Sequence, residues 1–170
     1  SRNSPEWTQG IIDALSWLGI DSQSPRFEGP YFQSQNAELH IAAAMKLHAA
    51  GKAYWCDLSA DQIQERAKSS GKQGYDGYSR DRGLAGGPGH VLRFRVPEGA
   101  TIVSDLVRGE VEFANETIED FVLLRSNGSP MFLLANVVDD IEMRITHVIR
   151  GDEGGKPATG ITLLSLLLGA

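Results

Sequence analysis

The chain has 170 residues, 41% apolar and 8% aromatic, enough for one globular domain or one domain carrying an inserted subdomain. No apolar run approaches the ~20 residues of a membrane helix; the longest candidate is 161–168, and the polar start Ser1-Arg2-Asn3-Ser4-Pro5 is no secretory signal and lacks an initiator Met, as processing or trimming would leave it. The net charge of −6 argues against indiscriminate nucleic-acid binding, and a single cysteine, Cys56, excludes an internal disulfide framework and fits a reducing compartment.

Ser4-Pro5-Glu6 reads as an N-cap, a proline at the first helical position and an acid in the first turn. Trp7, Ile11, Leu15 and Leu18 follow at helical spacing, and Gly19 is a stop signal. Residues 20–32 are expected as a loop, and a second helix over 36–50 with Leu39, Ala42, Ala43, Leu47 and Ala50 on its apolar side. A short strand is expected at 53–56, followed by a small polar helix over 60–68 capped by Ser59. Residues 69–90 are rich in glycine and aperiodic, the composition of a mobile loop that is softest at 83–89.

The period then changes to two. Val91-Leu92-Arg93-Phe94-Arg95-Val96 alternates apolar and basic, and 101–106 and 111–113 predict two strands turning near Arg108-Gly109. A strand at 121–124 precedes the turn signal Asn127-Gly128, and a helix is expected over 133–143. The β-branched run 145–149 suits a buried parallel strand, residues 151–157 a loop, and 159–168 a last apolar helix. Ends that alternate helix and strand around a strand-rich middle predict an α/β domain with a mostly β insertion.

Chemistry is expected between Asp120 and Glu153. Ligands of open α/β sheets bind past the carboxyl ends of strands, which is where Arg150 would stand; its fork matches a carboxylate or phosphate. Asn136 and Asp139, three apart on one helix, could reach the same crevice. The alternative is a helix with water-facing acids and an arginine in a surface ion pair. Asp139 and Asp140 point about 100° apart, so they do not easily share a metal ion. His147 reads as a core or supporting histidine and Cys56 as structural. Gly154-Gly155-Lys156-Pro157-Ala158-Thr159 has the wrong spacing for a phosphate loop, and Pro157 lacks an N–H. The window 66–95 carries Arg66, Lys68, Lys72, Arg80, Arg82, Arg93 and Arg95 against Asp76 and Asp81, an excess of five positive charges that suits either a solvated loop or an anionic partner.

Several ordered pieces resemble the glutamyl-tRNA synthetases, class I aminoacyl-tRNA synthetases, especially the bacterial ones. They are Asn3-Ser4-Pro5-Glu6, Ala14-Leu15-Ser16-Trp17-Leu18-Gly19-Ile20, Gly29-Pro30-Tyr31-Phe32-Gln33-Ser34 and Gly51-Lys52-Ala53-Tyr54. Tyr75-Asp76-Gly77, Arg93-Phe94-Arg95-Val96-Pro97, Asp105-Leu106-Val107-Arg108-Gly109-Glu110 and the run 120–150 complete a match over residues 3–153. The resemblance implies a Rossmann-like catalytic domain over 1–53 and 131–170, with an inserted acceptor-stem-binding subdomain over 54–130. It implies two steps: the glutamate carboxylate attacks the α-phosphate of ATP to give glutamyl-adenylate and pyrophosphate, then the terminal ribose hydroxyl of tRNA(Glu) takes the glutamyl group. Arg150 would hold a glutamate carboxylate, Asn136 would lie near the substrate amino acid, and Asp152 and Glu153 on the ATP side. Phe132 stands where the family has a pocket tyrosine, a lost hydrogen bond worth on the order of 1 kcal/mol. Arg80, Arg93, Arg95 and Arg108 would contact tRNA.

By the same resemblance ATP comes with Mg2+, and the protein is a cytoplasmic monomer with no membrane contact. Zinc, carried in this insertion by some members, should be absent because only Cys56 remains and Ser79 replaces a cysteine. The family's HIGH-type motif would precede this chain and its KMSKS-type loop follow it, so the 170 residues alone should be inactive. Residues 154–160 depart from the family segment that helps build the ATP pocket. Two other readings are a degenerate tRNA-binding module without ligase activity and the shortened paralogue that glutamylates a modified tRNA base.

Overall fold

The structure is a computed structural model that describes residues 4–71, 74–149, 160–162, 164 and 168. The chain divides into two compact units, Ser1–Phe32 and Gln33–Ala170.

The first unit is one helix and a loop. Helix α1 spans Pro5–Trp17; the Ser4 hydroxyl accepts from the Trp7 N–H, Pro5 opens the first turn and Glu6 sits against the positive end of the helix dipole. Gly19, at φ +83°, ends it in the left-handed region that glycine enters without strain. The helix forms as its sequence predicts, yet buries none of its residues: Trp7, Ile11, Trp17 and Leu18 are all exposed.

The second unit is built on a three-stranded antiparallel sheet, ordered β1 (Ala53–Cys56), β2 (Val91–Phe94), β5 (Val122–Leu124). Ala53 pairs with Phe94 and Trp55 with Leu92, while Tyr54 pairs with Arg93 and Cys56 with Val91. Directly opposed residues point to the same side of a sheet, so these pairs define two faces. Against the first face pack α2 (Ala37–Ala49) and α4 (Phe132–Glu142), closing a core of Ala44, Leu47, Leu92, Phe94, Leu123, Leu134 and Val137. Each large side chain buried there is worth about 1.5–3 kcal/mol. Phe94 stacks on Phe121 with ring centroids 5.1 Å apart. Leu164, in the described part of the last helical stretch, is fully buried in the same core.

The second face is covered by loop rather than water. Tyr54, Cys56 and Tyr75 form a smaller cluster, with Leu58, Ile63 and Val91 beside it. Ile63 belongs to α3 (Ala60–Ser70), where Ser59 and Gln62 satisfy each other's backbone N–H groups. The hairpin of β3 (Ala100–Asp105) and β4 (Gly109–Ala114) forms a separate two-stranded sheet. Its base is tied by the Thr101 hydroxyl donating to Asn115 (2.6 Å) and its tip by Asp105, which accepts from the N–H groups of Val107 and Arg108.

Four expectations need correction. The inward face of α2 carries His40, Ala44 and Leu47, and Leu39 is 47% exposed; the buried histidine moves the face by one residue. Residues 145–149 form no strand and are exposed, because no described strand lies alongside to accept their backbone hydrogen bonds. His147 is accordingly exposed, with the Thr146 hydroxyl beside its Nδ1. The described part of 69–90 has neither helix nor strand beyond the end of α3, but it is pinned: Tyr75 and Ser79 are buried, and a Cβ on Gly86 would lie 2.8 Å from the Trp55 ring. The segments 72–73 and 150–159, which include Lys72 and the expected loop at 151–157, lie outside the described residues.

The pin has a centre. Asp120, 3% exposed, accepts from the Tyr54 hydroxyl, from Arg80 Nε (2.6 Å) and Nη2 (2.5 Å) and from the Val96 N–H (3.0 Å). Its own carbonyl accepts from Arg93 Nη1 (2.6 Å). Asp120→Asn is expected to lower the unfolding free energy by about 2–3 kcal/mol, less than a fully buried pair because Arg80 is partly solvated; urea denaturation measures it. Gly86→Ala, which drives a methyl into the indole of Trp55, should cost about 1–3 kcal/mol in the same assay.

Candidate functional site

The described part of the expected substrate site lies on one side of α4. Its inward positions, Leu134, Ala135, Val137 and Val138, are buried, leaving Phe132, Asn136, Asp139 and Asp140 on another face. Phe132 is 65% exposed, so its ring lines an open surface. Asn136 Nδ2 donates to Asp140 Oδ2 (3.4 Å), a long bond that leaves the carboxamide oxygen as an acceptor.

Asp139 does not join Asn136 in a shared crevice; it turns toward the neighbouring helix. Its Oδ1 meets His40 Nε2 (2.8 Å) and accepts from Asn36 Nδ2 (3.0 Å), and its Oδ2 accepts from Gln33 Nε2 (3.3 Å). Gln33 and Asn36 lie in the single 3-10 turn Gln33–Asn36 that leads into α2. Burial opposes the charge on Asp139, but the bonds from His40, Asn36 and Gln33 outweigh it and hold the carboxyl below its ordinary value. Burial, then the charge of Asp139, pushes Asp140 the other way. The two adjacent carboxyls are thus shifted in opposite directions, Asp139 toward its charged form and Asp140 away from it. Among the described residues no group of three His, Cys, Asp or Glu side chains could hold one. Sequence reasoning missed His40; its signal was the spacing 40, 44, 47, a buried stripe that includes a histidine.

The basic window is largely neutralised from within. Arg66 pairs with Asp76 (2.8 Å), Arg80 with Asp120 (2.5 Å), Arg82 with Asp57 (2.6 Å) and Arg95 with Asp81 (3.0 Å). Arg95 also donates to the Arg80 carbonyl (2.5 Å) and sits over the Tyr54 ring. Arg93, expected to contact tRNA, is 7% exposed, because its face of the sheet is covered by Tyr75, over whose ring its guanidinium lies at 3.9 Å. Arg108 stands exposed near the tip of the hairpin. An open groove of about 1210 Å3 runs between the 74–81 loop and the base of the hairpin, edged by Arg80, Glu98, Glu116 and Glu119. Its carboxylates outnumber its cations.

Cys56 is fully buried. Burial raises its thiol, but hydrogen bonding from Ser79, the Leu58 N–H, Tyr75 and Arg93 brings it below the ordinary value. One thiol facing a hydroxyl, a phenol and a guanidinium does not fit a zinc ion, which takes three or four thiolate, imidazole or carboxylate ligands. Arg150, Asp152 and Glu153 lie outside the described residues. No helix among the described residues is long and apolar enough to cross a membrane.

Comparison with known proteins places the chain in a family. Residues 1–156 match the family model for the catalytic domain of class I tRNA synthetases (E and Q). A glutamate–tRNA ligase of Thermobifida fusca is 61% identical over 154 residues, covering 90% of this chain and 32% of that protein. One from Frankia casuarinae is 58% identical over 171 residues, covering the whole of this chain and 36% of that protein. The crystal structure of a glutamate tRNA ligase from Elizabethkingia meningosepticum, in complex with its amino acid, superposes with a TM-score of 0.75 at 29% identity, over 98% of this chain and 37% of that one. The chain therefore spans about a third of the length of the curated relatives it matches. With the family model covering nearly all of it, the chain belongs to the class I tRNA synthetases for glutamate and glutamine, within their α/β, Rossmann-like catalytic domain.

Proposed function

We propose that this chain is part of a glutamate–tRNA ligase that activates glutamate with ATP and transfers it to the 3′ end of tRNA(Glu). The observation that carries the reading is its 58% identity, end to end, with a protein named glutamate–tRNA ligase. The relatives described above are all named ligases, so a non-ligating module or a base-modifying paralogue is not favoured.

In this reading residues 1–53 and 131–170 belong to the catalytic domain and 54–130 to an inserted acceptor-binding subdomain. The exposed face of α4 supports a role for Asn136 and Phe132 beside the amino acid: the Asn136 carboxamide oxygen can accept from an ammonium group, and the Phe132 ring excludes water from one side. Arg150 binds a glutamate carboxylate by a two-pronged ion pair, and Asp152 and Glu153 stand on the ATP side. ATP brings Mg2+ as its counter-ion, and zinc is absent. Catalysis is positioning and charge stabilisation: the glutamate carboxylate displaces pyrophosphate at the α-phosphate, and the ribose hydroxyl then displaces AMP. Arg80, Arg95 and Arg108 contact the acceptor stem, and Arg93 supports that surface from inside. Arg95 is available because its partner Asp81 is 85% exposed, and an exposed pair is easily exchanged for a phosphate. The protein acts as a cytoplasmic monomer.

Two measurements test this. An intact enzyme containing this sequence should catalyse glutamate-dependent ATP–pyrophosphate exchange while the 170-residue chain alone does not; exchange by the chain alone would show that groups assigned to flanking segments are dispensable. The chain itself should bind an acceptor-stem minihelix with an affinity that falls as salt rises, and Arg108→Ala should make the log–log slope shallower by about one. An unchanged slope would remove Arg108 from the interface.

A further inference from the structure

Helix α4 rests on α2 and the sheet through Leu134, Val137 and Val138. That apolar stripe sets the rotation of the helix coarsely, but apolar contact is non-directional and tolerates small turns. A small turn carries a whole stripe of side chains with it. Phe132, Asn136 and Asp139 lie at i, i+4 and i+7, on one stripe, so whatever fixes the direction of Asp139 fixes that of the other two.

Asp139 is fixed by hydrogen bonds, which are directional, from Gln33, Asn36 and His40. Of these His40 is the buried one: its side chain is 1% exposed, and its Nδ1 has no hydrogen-bond partner among the described residues. Among the described residues the polar contact of its side chain is with Asp139. An imidazole with an unsatisfied buried nitrogen is a poor way to fill space, since a leucine would fill it without that penalty. The imidazole is explained by what its other nitrogen holds. We propose that His40 is a positioning residue of the amino-acid subsite, setting through Asp139 the rotation of α4 that presents Asn136 and Phe132. This rests on the reading of Asn136 as a glutamate-binding residue.

The test uses an intact enzyme carrying this sequence. Glutamate-dependent ATP–pyrophosphate exchange and melting temperature are measured for wild type, Asn136→Ala, His40→Leu, His40→Gln and Asn36→Ala. His40→Leu should raise KM for glutamate about tenfold, with kcat and KM for ATP changed less than about twofold. Glutamine, which can place an N–H near the imidazole Nε2 position, should recover most of that loss. Asn36→Ala leaves the core intact and should raise the same KM by roughly threefold. If His40→Leu does not fold, the Gln and Asn36 variants decide the matter by the same KM. The proposal alone is overturned if Asn136→Ala raises KM for glutamate while the His40 and Asn36 variants leave it unchanged. It is also overturned if KM for ATP rises equally, or if Gln is no better than Leu. A wild type without glutamate-dependent exchange, or an Asn136→Ala enzyme with unchanged KM, marks the failure of the underlying reading and removes the proposal with it.

Discussion

The carboxylate of Asp120 is the constraint around which the second unit is arranged. Its side chain is 1% exposed, and a carboxylate taken that far from water is tolerated only when its lone pairs are filled. They are filled by Tyr54 from β1, Arg80 from the loop and the Val96 N–H just past β2, while the carbonyl of the same residue holds Arg93. One residue thus joins two strands and a glycine-rich segment that has no ladder of its own. Burial first, and then the hydrogen bond to Asp120 and its charge, push the Tyr54 hydroxyl far above its ordinary value, so Tyr54 stays a donor across the working pH range.

That arrangement continues into the proposed substrate face. Asp120 stands two residues before β5. In the turn 125–129 the Arg125 N–H donates to the Ser129 carbonyl and the N–H of Gly128, at φ +79°, donates to the Arg125 carbonyl, and Leu124 bridges Pro130. The Met131 N–H then returns to the Leu123 carbonyl, and α4 begins at the next residue. The start of α4 is therefore held by the sheet, and its middle by the Asp139 cluster on the other side. A short helix pinned at two points presents its remaining face with little freedom, as a site that works by positioning requires.

The elements legible in the sequence are those decided within a few residues. Ser4-Pro5-Glu6, Ser59, Gly19 and the Asn127-Gly128 turn carry their reasons locally, and helices, hairpin and turn formed there. The fold class and family were legible through the ordered motifs of the resemblance. The polar networks were not. Asp139 finds His40 across 99 residues and Asp120 finds Arg80 across 40, separations on which periodicity is silent. The burial of Arg93 was not legible for a related reason: alternation marks two faces of a strand but not what covers each, and here an irregular loop covers the second. The β-branched run 145–149 has the composition of a strand, but a strand is a relation between two segments, and its residues lie open to solvent.

The pairing of the loop arginines changes what an incoming phosphate meets. Arg66, Arg80, Arg82 and Arg95 each already hold a carboxylate of this chain. These carboxylates act as tethered competitors, present at high effective concentration and graded in grip from the solvent-exposed Asp81 to the buried Asp120. A polyanion that offers one phosphate at a time gains little by displacing them. One whose phosphates are spaced to reach several arginines together displaces the loosely held acids first and leaves the Arg80 anchor in place. At the proposed acceptor-stem surface, such pairing would make selection depend on phosphate spacing rather than on charge alone.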